Sequence, residues 1–293
     1  MKNEVEDVII VGAGPAGIAA AIQLKRCGIS PLLLEGDGAG GLLRNANLVE
    51  NYPGFPEGIS GTGLVELFRK QMERLSVYPT IALVEQVTYE QELFVIETDR
   101  KTYRSKRLVV SSGTSPVALS GVEMADAPKI KIYYEVHPLL DMEGNEIAII
   151  GAGDAAFDYA LNLSRRNQVY ILNRTKKTKS LPLLVERAQR NPNIRYIENT
   201  RAQRISEDGG GRLMVKCIQD EGTCEFSVDY VIAAIGRVPN IGYLSEQVQE
   251  RMDVLMSDGL LYMIGDVKND IYRQTSIAVG DGVRAAMDIY QRE

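Results

Sequence analysis

Val8-Ile9-Ile10-Val11-Gly12-Ala13-Gly14-Pro15-Ala16-Gly17 is the stretch whose reading decides the fold of this chain. Four apolar residues of strand type run straight into a glycine-rich turn, and Ile18 to Arg26 continue in a helical pattern. Gly12 permits the tight turn, Gly14 lets backbone N–H groups approach a pyrophosphate, and Gly17 lets helix pack closely on strand. Pro15 and Ala16 complete the turn at a helix N-terminus whose field favours anions. The next strand, Pro31 to Leu34, leads to Glu35. A carboxylate about twenty residues past the turn is placed to accept from ribose hydroxyls. Strand, turn, helix and acid together predict a dinucleotide-binding βαβ unit.

The pattern recurs. Ile147-Ala148-Ile149-Ile150 leads into Gly151-Ala152-Gly153-Asp154-Ala155-Ala156, followed by a helix to Arg166 and a strand Gln168 to Leu172. Two such units imply two nucleotides, with Gly151, Gly153, Asp154 and Ala155 at the second pyrophosphate. The second acceptor strand ends in Asn173-Arg174-Thr175-Lys176-Lys177-Thr178-Lys179. It carries no carboxylate for a free 2′-hydroxyl, and its cations can pair with a 2′-phosphate. Asn173, Arg174 and Lys179 therefore favour NADP(H) over NAD(H), although the same lysines also fit an ordinary solvated loop.

Composition limits the rest. The chain has 293 residues, 45% of them hydrophobic, enough for one large or two ordinary domains with sizeable cores. A net charge of −6 disfavours nucleic acid and anionic membrane as partners. The uncharged run from Val8 to Leu24 is broken by Gly12, Gly14, Pro15 and Gly17, so it reads as strand, turn and helix rather than a membrane span. The largely acidic start, Met1 to Asp7, does not read as a secretory leader, and three widely spaced cysteines are no disulfide framework. A cytoplasmic protein is expected.

Other stretches resemble a known family. Val49-Glu50-Asn51-Tyr52-Pro53-Gly54-Phe55-Pro56, with Ser60-Gly61 behind it, resembles the flavin-side loop of the low-molecular-weight thioredoxin reductases. Gly265-Asp266-Val267 and Ile271-Tyr272-Arg273-Gln274 resemble that family's flavin-closing motif. Ser111-Ser112-Gly113-Thr114 and Ala233 to Asn240 resemble its two interdomain crossovers.

The resemblance covers nearly the whole chain and implies FAD as well as NADPH. It places Gly41, Leu42, Asn51, Gly113, Gly265, Asp266, Arg273, Gln274 and Thr275 among the cofactor-binding residues, Asp266 on the ribityl chain and the Arg273-Gln274 pair at the isoalloxazine. The implied fold class is α/β, with two Rossmann-like, three-layer ββα nucleotide-binding domains, the second inserted in the first. The FAD-binding domain would comprise residues 1–113 and 236–293, the NAD(P)H-binding-type domain residues 114–235, and the assembly would be a homodimer. Each fingerprint opening its own βαβ unit points to the same layout. A final helix, Ala278 to Tyr290, would turn its N-terminus toward the flavin and stabilise negative charge on the reduced ring.

What the resemblance does not carry over is the redox dithiol. Counted back from Gly151, the family's Cys-x-x-Cys falls on Tyr134-Glu135-Val136-His137 and the following acid on Pro138. The cysteines are Cys27, Cys217 and Cys224. Cys27 reads as an apolar helix-end residue. The hairpin Leu213 to Tyr230 is expected to turn at Asp220-Glu221-Gly222 with a bulge, pairing Gln219 with Thr223. That register sets Cys217 opposite Glu225 and points the two thiols to opposite faces, whereas a two-residue loop would make them direct neighbours. His137, the sole histidine, falls where the flavin-proximal sulfur would be, and an imidazole there could donate a proton to reduced flavin or a bound acceptor. It also reads as a loop histidine before Pro138. Tyr133 and Tyr134 either cover the flavin or fill the space of the missing dithiol loop.

Three functions are consistent with these readings. The first is an FAD-dependent oxidoreductase passing electrons from NADPH to an external acceptor, a ferredoxin- or flavodoxin-like protein or a small molecule. The second is a flavoprotein reduced by another donor, such as ferredoxin, and acting on a disulfide or other substrate. The third is a non-catalytic flavin-binding regulatory protein. Without a dithiol to alternate with nicotinamide, the interdomain arrangement is expected to be fixed or to open only for the acceptor.

Overall fold

The computed structural model describes residues 5–125, 131–220 and 222–293. Of the expected hairpin turn, Glu221 lies outside the described residues. The chain forms two compact units, one of residues 1–44, 49–115 and 238–293, the other of residues 45–48 and 116–237. The passages between them, Thr114–Pro116 and Arg237–Pro239, are short strands paired with each other.

In the first unit the opening strand Val5–Val11 lies in the middle of a parallel sheet, between Leu32–Glu35 and Thr102–Val110. Leu261–Met263 pairs with the far end of Thr102–Val110. Thr80–Ile81 extends the sheet beyond Leu32–Glu35, and Leu93–Thr98 and Val84–Glu90 continue antiparallel from Thr102–Val110 as a meander. Period-two alternation sorts the central strand. Ile9 and Val11 pack with Phe94, Ile96 and Leu108 in one core, while Val8 and Ile10 are buried on the opposite face. Each such aliphatic side chain contributes roughly 1.5–3 kcal/mol by burial.

The helices Pro15–Arg26 and Thr275–Gln291 cross almost backbone to backbone. A Cβ on Gly282 would stand 2.2 Å from the Ala16 carbonyl oxygen. Among the described residues, no helix is long and apolar enough to cross a membrane.

The second unit repeats the plan. Its parallel sheet runs Ile194–Ile197, Gln168–Leu172, Glu146–Ile150, Tyr230–Ala233, Ile132–Tyr133. Ile147 and Ile149 pack with Phe157 and Ala160 of the helix Asp154–Leu163. Ala148 and Ile150 face the other way, toward Leu213, Val215 and Cys217 of an antiparallel layer.

That layer corrects the expected hairpin. Gln219 pairs with Gly222, so the loop has two residues, and Cys217 stands directly opposite Cys224. Burial selects this register. With it the facing pairs on the core side are Leu213 with Val228, Val215 with Phe226 and Cys217 with Cys224. The bulged alternative would set Glu225 opposite Cys217 and turn polar residues inward, and a one-residue slip exchanges the faces of a whole strand.

Candidate cofactor and active site

The two glycine turns use their glycines in the same way. Gly12 and Gly151 have positive φ, +102° and +126°. A Cβ on Gly12 would meet the Ser111 carbonyl oxygen at 2.5 Å, and one on Gly151 the Ala234 carbonyl oxygen at 2.2 Å. Gly17 fails for a different reason, its Cβ falling 2.0 Å from the Gly12 oxygen. Gly14 and Gly153 have no heavy atom within 4 Å of a Cβ position. They are the N-caps of Pro15–Arg26 and Asp154–Leu163, and neither helix has a side chain capping its amides. A helix N-terminus opening onto clear space through a glycine fits a pyrophosphate.

In the first unit Glu35, Gly41 and Gly265 each contact this turn. Ala13 N–H donates to Glu35 Oε2 at 2.7 Å, and Asp37 N–H donates to the other carboxylate oxygen at 3.0 Å. Glu35 thus ties the end of its strand to the glycine turn. Gly41, φ +51°, faces Gly14, with its Cβ position 3.2 Å from the Gly14 Cα, and Leu42 follows it in the short helix Gly41–Asn45. Gly265, φ +72°, packs against Ala16, which brings Asp266 to the same end of the sheet. Gln274 is the N-cap of the final helix and Thr275 its first residue, so this helix starts three residues earlier than expected. Asn51 Nδ2 donates to Gln274 Oε1 at 2.8 Å, joining two motifs that are 223 residues apart. Arg273 directly precedes that N-cap. Gly113, φ +65°, accepts at its carbonyl from Asn240 N–H.

Two supporting residues in this unit escaped the sequence reading. Arg44 donates to the Gly41 carbonyl and pairs with Asp37, closing the loop between them. Asp281 accepts from Gly265 N–H and Asn269 Nδ2, fastening the Gly265–Val267 turn to the final helix. Nothing in residue type or spacing separates these from surface charges.

In the second unit Asn173 is only 5% exposed. Its Nδ2 donates to the Lys177 carbonyl and Tyr196 hydroxyl, and its Oδ1 accepts from Thr175 N–H. Asn173 therefore shapes the loop, while Arg174 and Lys179 stand exposed on it. Thr178 Oγ1 donates to the Ala152 carbonyl at 2.5 Å, drawing the basic loop onto the Gly151–Gly153 turn. Asp154 Oδ1 accepts from Leu181 N–H at 2.7 Å, and Ala155 is exposed beside it.

The segment Tyr134–His137 is fastened by polar groups. Glu135 accepts from Asn45 Nδ2 at 2.5 Å, from the Tyr159 hydroxyl at 3.1 Å, and from Arg237, with which it forms an ion pair. Asn45 Oδ1 accepts His137 N–H at 3.0 Å, so one side chain holds both ends of Glu135–His137. Burial and the neighbouring Glu135 carboxylate push the Tyr159 phenol well above its usual range. Asp158 accepts Asn47 N–H at 2.9 Å, and burial pushes its carboxyl up to about 6. These bonds are why residues 45–48 group with the second unit.

His137 opens a short 3-10 turn, His137–Leu139, with its imidazole side exposed. Tyr133 packs edge-on against Tyr230, and the Tyr134 hydroxyl accepts Leu119 N–H at 3.2 Å. Cys27 caps the first helix, its sulfur accepting from Gln23 Nε2.

Residues 6–282 match the family model described as pyridine nucleotide-disulphide oxidoreductase. The chain is 31% identical over 316 residues to thioredoxin reductase 2 of Arabidopsis thaliana, covering 98% of this chain and 82% of that protein. Among solved structures, thioredoxin reductase of Lactococcus lactis in its FR conformation superposes with a TM-score of 0.83 at 25% identity, covering 98% of both chains. The T. acidophilum thioredoxin reductase superposes with a TM-score of 0.81 at 28% identity, again over 98% of both chains.

Proposed function

Because the chain belongs to the pyridine nucleotide-disulphide oxidoreductase family, we propose that it passes reducing equivalents from NADPH through FAD directly to an external acceptor. The chain is an FAD-dependent oxidoreductase of thioredoxin-reductase-like fold. FAD is assigned to the first unit, held by Gly12, Gly14, Gly17, Glu35, Gly41, Gly265 and Asp266, with Asn51, Arg273 and Gln274 toward the ring. NADPH is assigned to the second, with its pyrophosphate on Gly151–Ala155 and its 2′-phosphate on Arg174 and Lys179. When bound, the flavin supplies two-electron chemistry between nicotinamide and acceptor.

The observation supporting this reading is the segment Tyr134–His137. It contains no sulfur, and its carboxylate is bound to Asn45, Tyr159 and Arg237. A disulfide oxidoreductase with two cysteines there would exchange thiol for disulfide. This chain offers an anchored carboxylate and an exposed imidazole instead. Asn45 fixes the backbone of His137, leaving the ring free to donate a proton to an arriving acceptor. The acceptor class is a small iron–sulfur or flavin protein, or a small molecule.

A second reading, a donor other than NADPH, draws on Asn173, whose side chain is spent on its own loop and leaves fewer groups for a 2′-phosphate. Anaerobic addition of NADPH, NADH or reduced ferredoxin to the purified yellow protein separates the two. Rapid bleaching by NADPH supports the first reading. Bleaching by ferredoxin alone supports the second, and no bleaching by any donor removes both.

A further inference from the structure

The hairpin of the second unit places two thiols side by side with no assigned role. Cys217 and Cys224 are directly opposed in an antiparallel pair, and both are free. Opposed residues in such a pair have Cα atoms about 4.5–5.5 Å apart, within the span a disulfide bridges. The two sulfurs differ in access. Cys217 is fully buried beneath the parallel sheet, among Ala148, Ile150 and Val215, while Cys224 is half-buried on the outer strand.

We propose that Cys217 and Cys224 are a second redox site of this protein, independent of the flavin, which a low-molecular-weight disulfide oxidises to a cross-strand disulfide. The accessible sulfur reacts first. The Cys224 thiolate attacks one sulfur of the small disulfide RSSR, its S–S bond breaks, and one RS⁻ leaves and is protonated. Cys224 then carries a mixed disulfide. Cys217 gives up its proton to solvent, attacks Cys224 Sγ, and expels the second RS⁻. In total the two thiols lose two electrons and two protons, and RSSR becomes two RSH.

The order of attack follows from the surroundings. Burial pushes the Cys217 thiol up to about 12, with the adjacent Cys224 adding to the shift, so its thiolate is scarce near neutrality. Burial raises Cys224 too, but less of it is enclosed. Resolution by Cys217 is therefore the slow step and accelerates as pH rises, aided by the high effective concentration of a neighbour already in place.

The location gives the site a consequence. Gln219 Nε2, two residues along the same strand, donates to Thr200 Oγ1 at 2.9 Å, and Thr200 N–H donates to the Asn173 carbonyl at 2.7 Å. The crosslink would stiffen a hairpin that abuts the loop bearing Arg174 and Lys179.

The test treats the intact protein with excess oxidised glutathione as the probe small disulfide, then digests it without reduction for peptide mass mapping. Expected is a Cys217–Cys224 crosslinked peptide about 2 Da lighter than the sum of its reduced parts, with Cys27 outside the crosslink and dithiothreitol reversing it. Cys217→Ala, which keeps the buried site apolar, should trap the mixed disulfide on Cys224. Cys224→Ala should leave Cys217 unmodified over the same time. Persistent glutathionylation of wild-type Cys224, a crosslink between two chains, or no modification of either cysteine would each overturn the proposal. Because the crosslink is read in wild type, poor folding of a variant leaves the test intact.

Discussion

Asn45 donates a hydrogen bond to Glu135 across 2.5 Å, linking residues that are 90 positions apart. The same amide accepts from His137, so the segment Glu135–His137 is held by an amide, a phenol and a guanidinium around one carboxylate. A carboxylate with three donors is a structural anchor, and its removal leaves those donors without their acceptor.

Glu135→Gln should therefore destabilise the protein. The neutral amide keeps the shape but loses the charge opposite Arg237 and presents donors to donors, a cost of about 1–3 kcal/mol. Urea unfolding at neutral pH would show it as a lower midpoint with an unchanged slope. A midpoint equal to wild type would mean the cluster contributes nothing net.

Asp158 makes stability depend on pH. Its folded-state carboxyl titrates near 6, above the ordinary aspartate value of 3.8, because burial disfavours the charge. The contribution is fully present below the unfolded value and is lost as pH rises through the folded one. Across the window from about 4 to 6 this amounts to roughly 2–3 kcal/mol. Asp158→Asn can still accept from Asn47 N–H and carries no charge. It should gain on wild type progressively from about pH 4 to about pH 6, then run parallel to it. Unfolding curves at several pH values measure this directly, and parallel curves throughout would contradict it.

His137→Ala should slow the acceptor half-reaction by about tenfold or more, as loss of a positioned proton donor does, while flavin reduction by NADPH changes little. Stopped-flow measurement of the two half-reactions separates these effects. Equal slowing of both, or of neither, speaks against a proton-donor role.

Arg174→Ala should weaken NADPH binding by about tenfold and leave NADH binding nearly unchanged, because one charge-assisted contact to a 2′-phosphate is removed. Titration with each nucleotide decides. Loss of both in parallel would assign Arg174 to the loop rather than to the phosphate.

Gly282→Ala probes the helix crossing in the first unit. The added methyl would stand 2.2 Å from the Ala16 oxygen and 2.9 Å from the Ala20 nitrogen. Backbone atoms cannot rotate away, so the helices must separate, at a cost of about 1–3 kcal/mol or more. Thermal unfolding checks this, and an unchanged midpoint would mean that the crossing relaxes freely.

Much of this was legible in the chain because the signals are local. A glycine turn is written within six residues, and its strand and helix follow from the alternation and spacing of the apolar residues beside it. Gly12, Gly17 and Gly151 are where backbone atoms leave no room for a side chain, which is the requirement the motif encodes. The place of Asn173 at the strand end suggests a ligand contact, but its neighbours Tyr196 and Lys177 give it a buried role that spacing does not reveal.

The chain alone was sufficient for the two mononucleotide folds, their order, and the lack of sulfur at Tyr134–His137, since each depends on residue type within a short stretch. Packing settled the rest. The register that sets Cys217 beside Cys224 depends on which face of the strand meets Ala148 and Ile150, and local turn preference pointed the other way. The clasp of Asn45 on Glu135 and His137 joins residues far apart in the chain, and such contacts exist only once burial has fixed where each backbone lies.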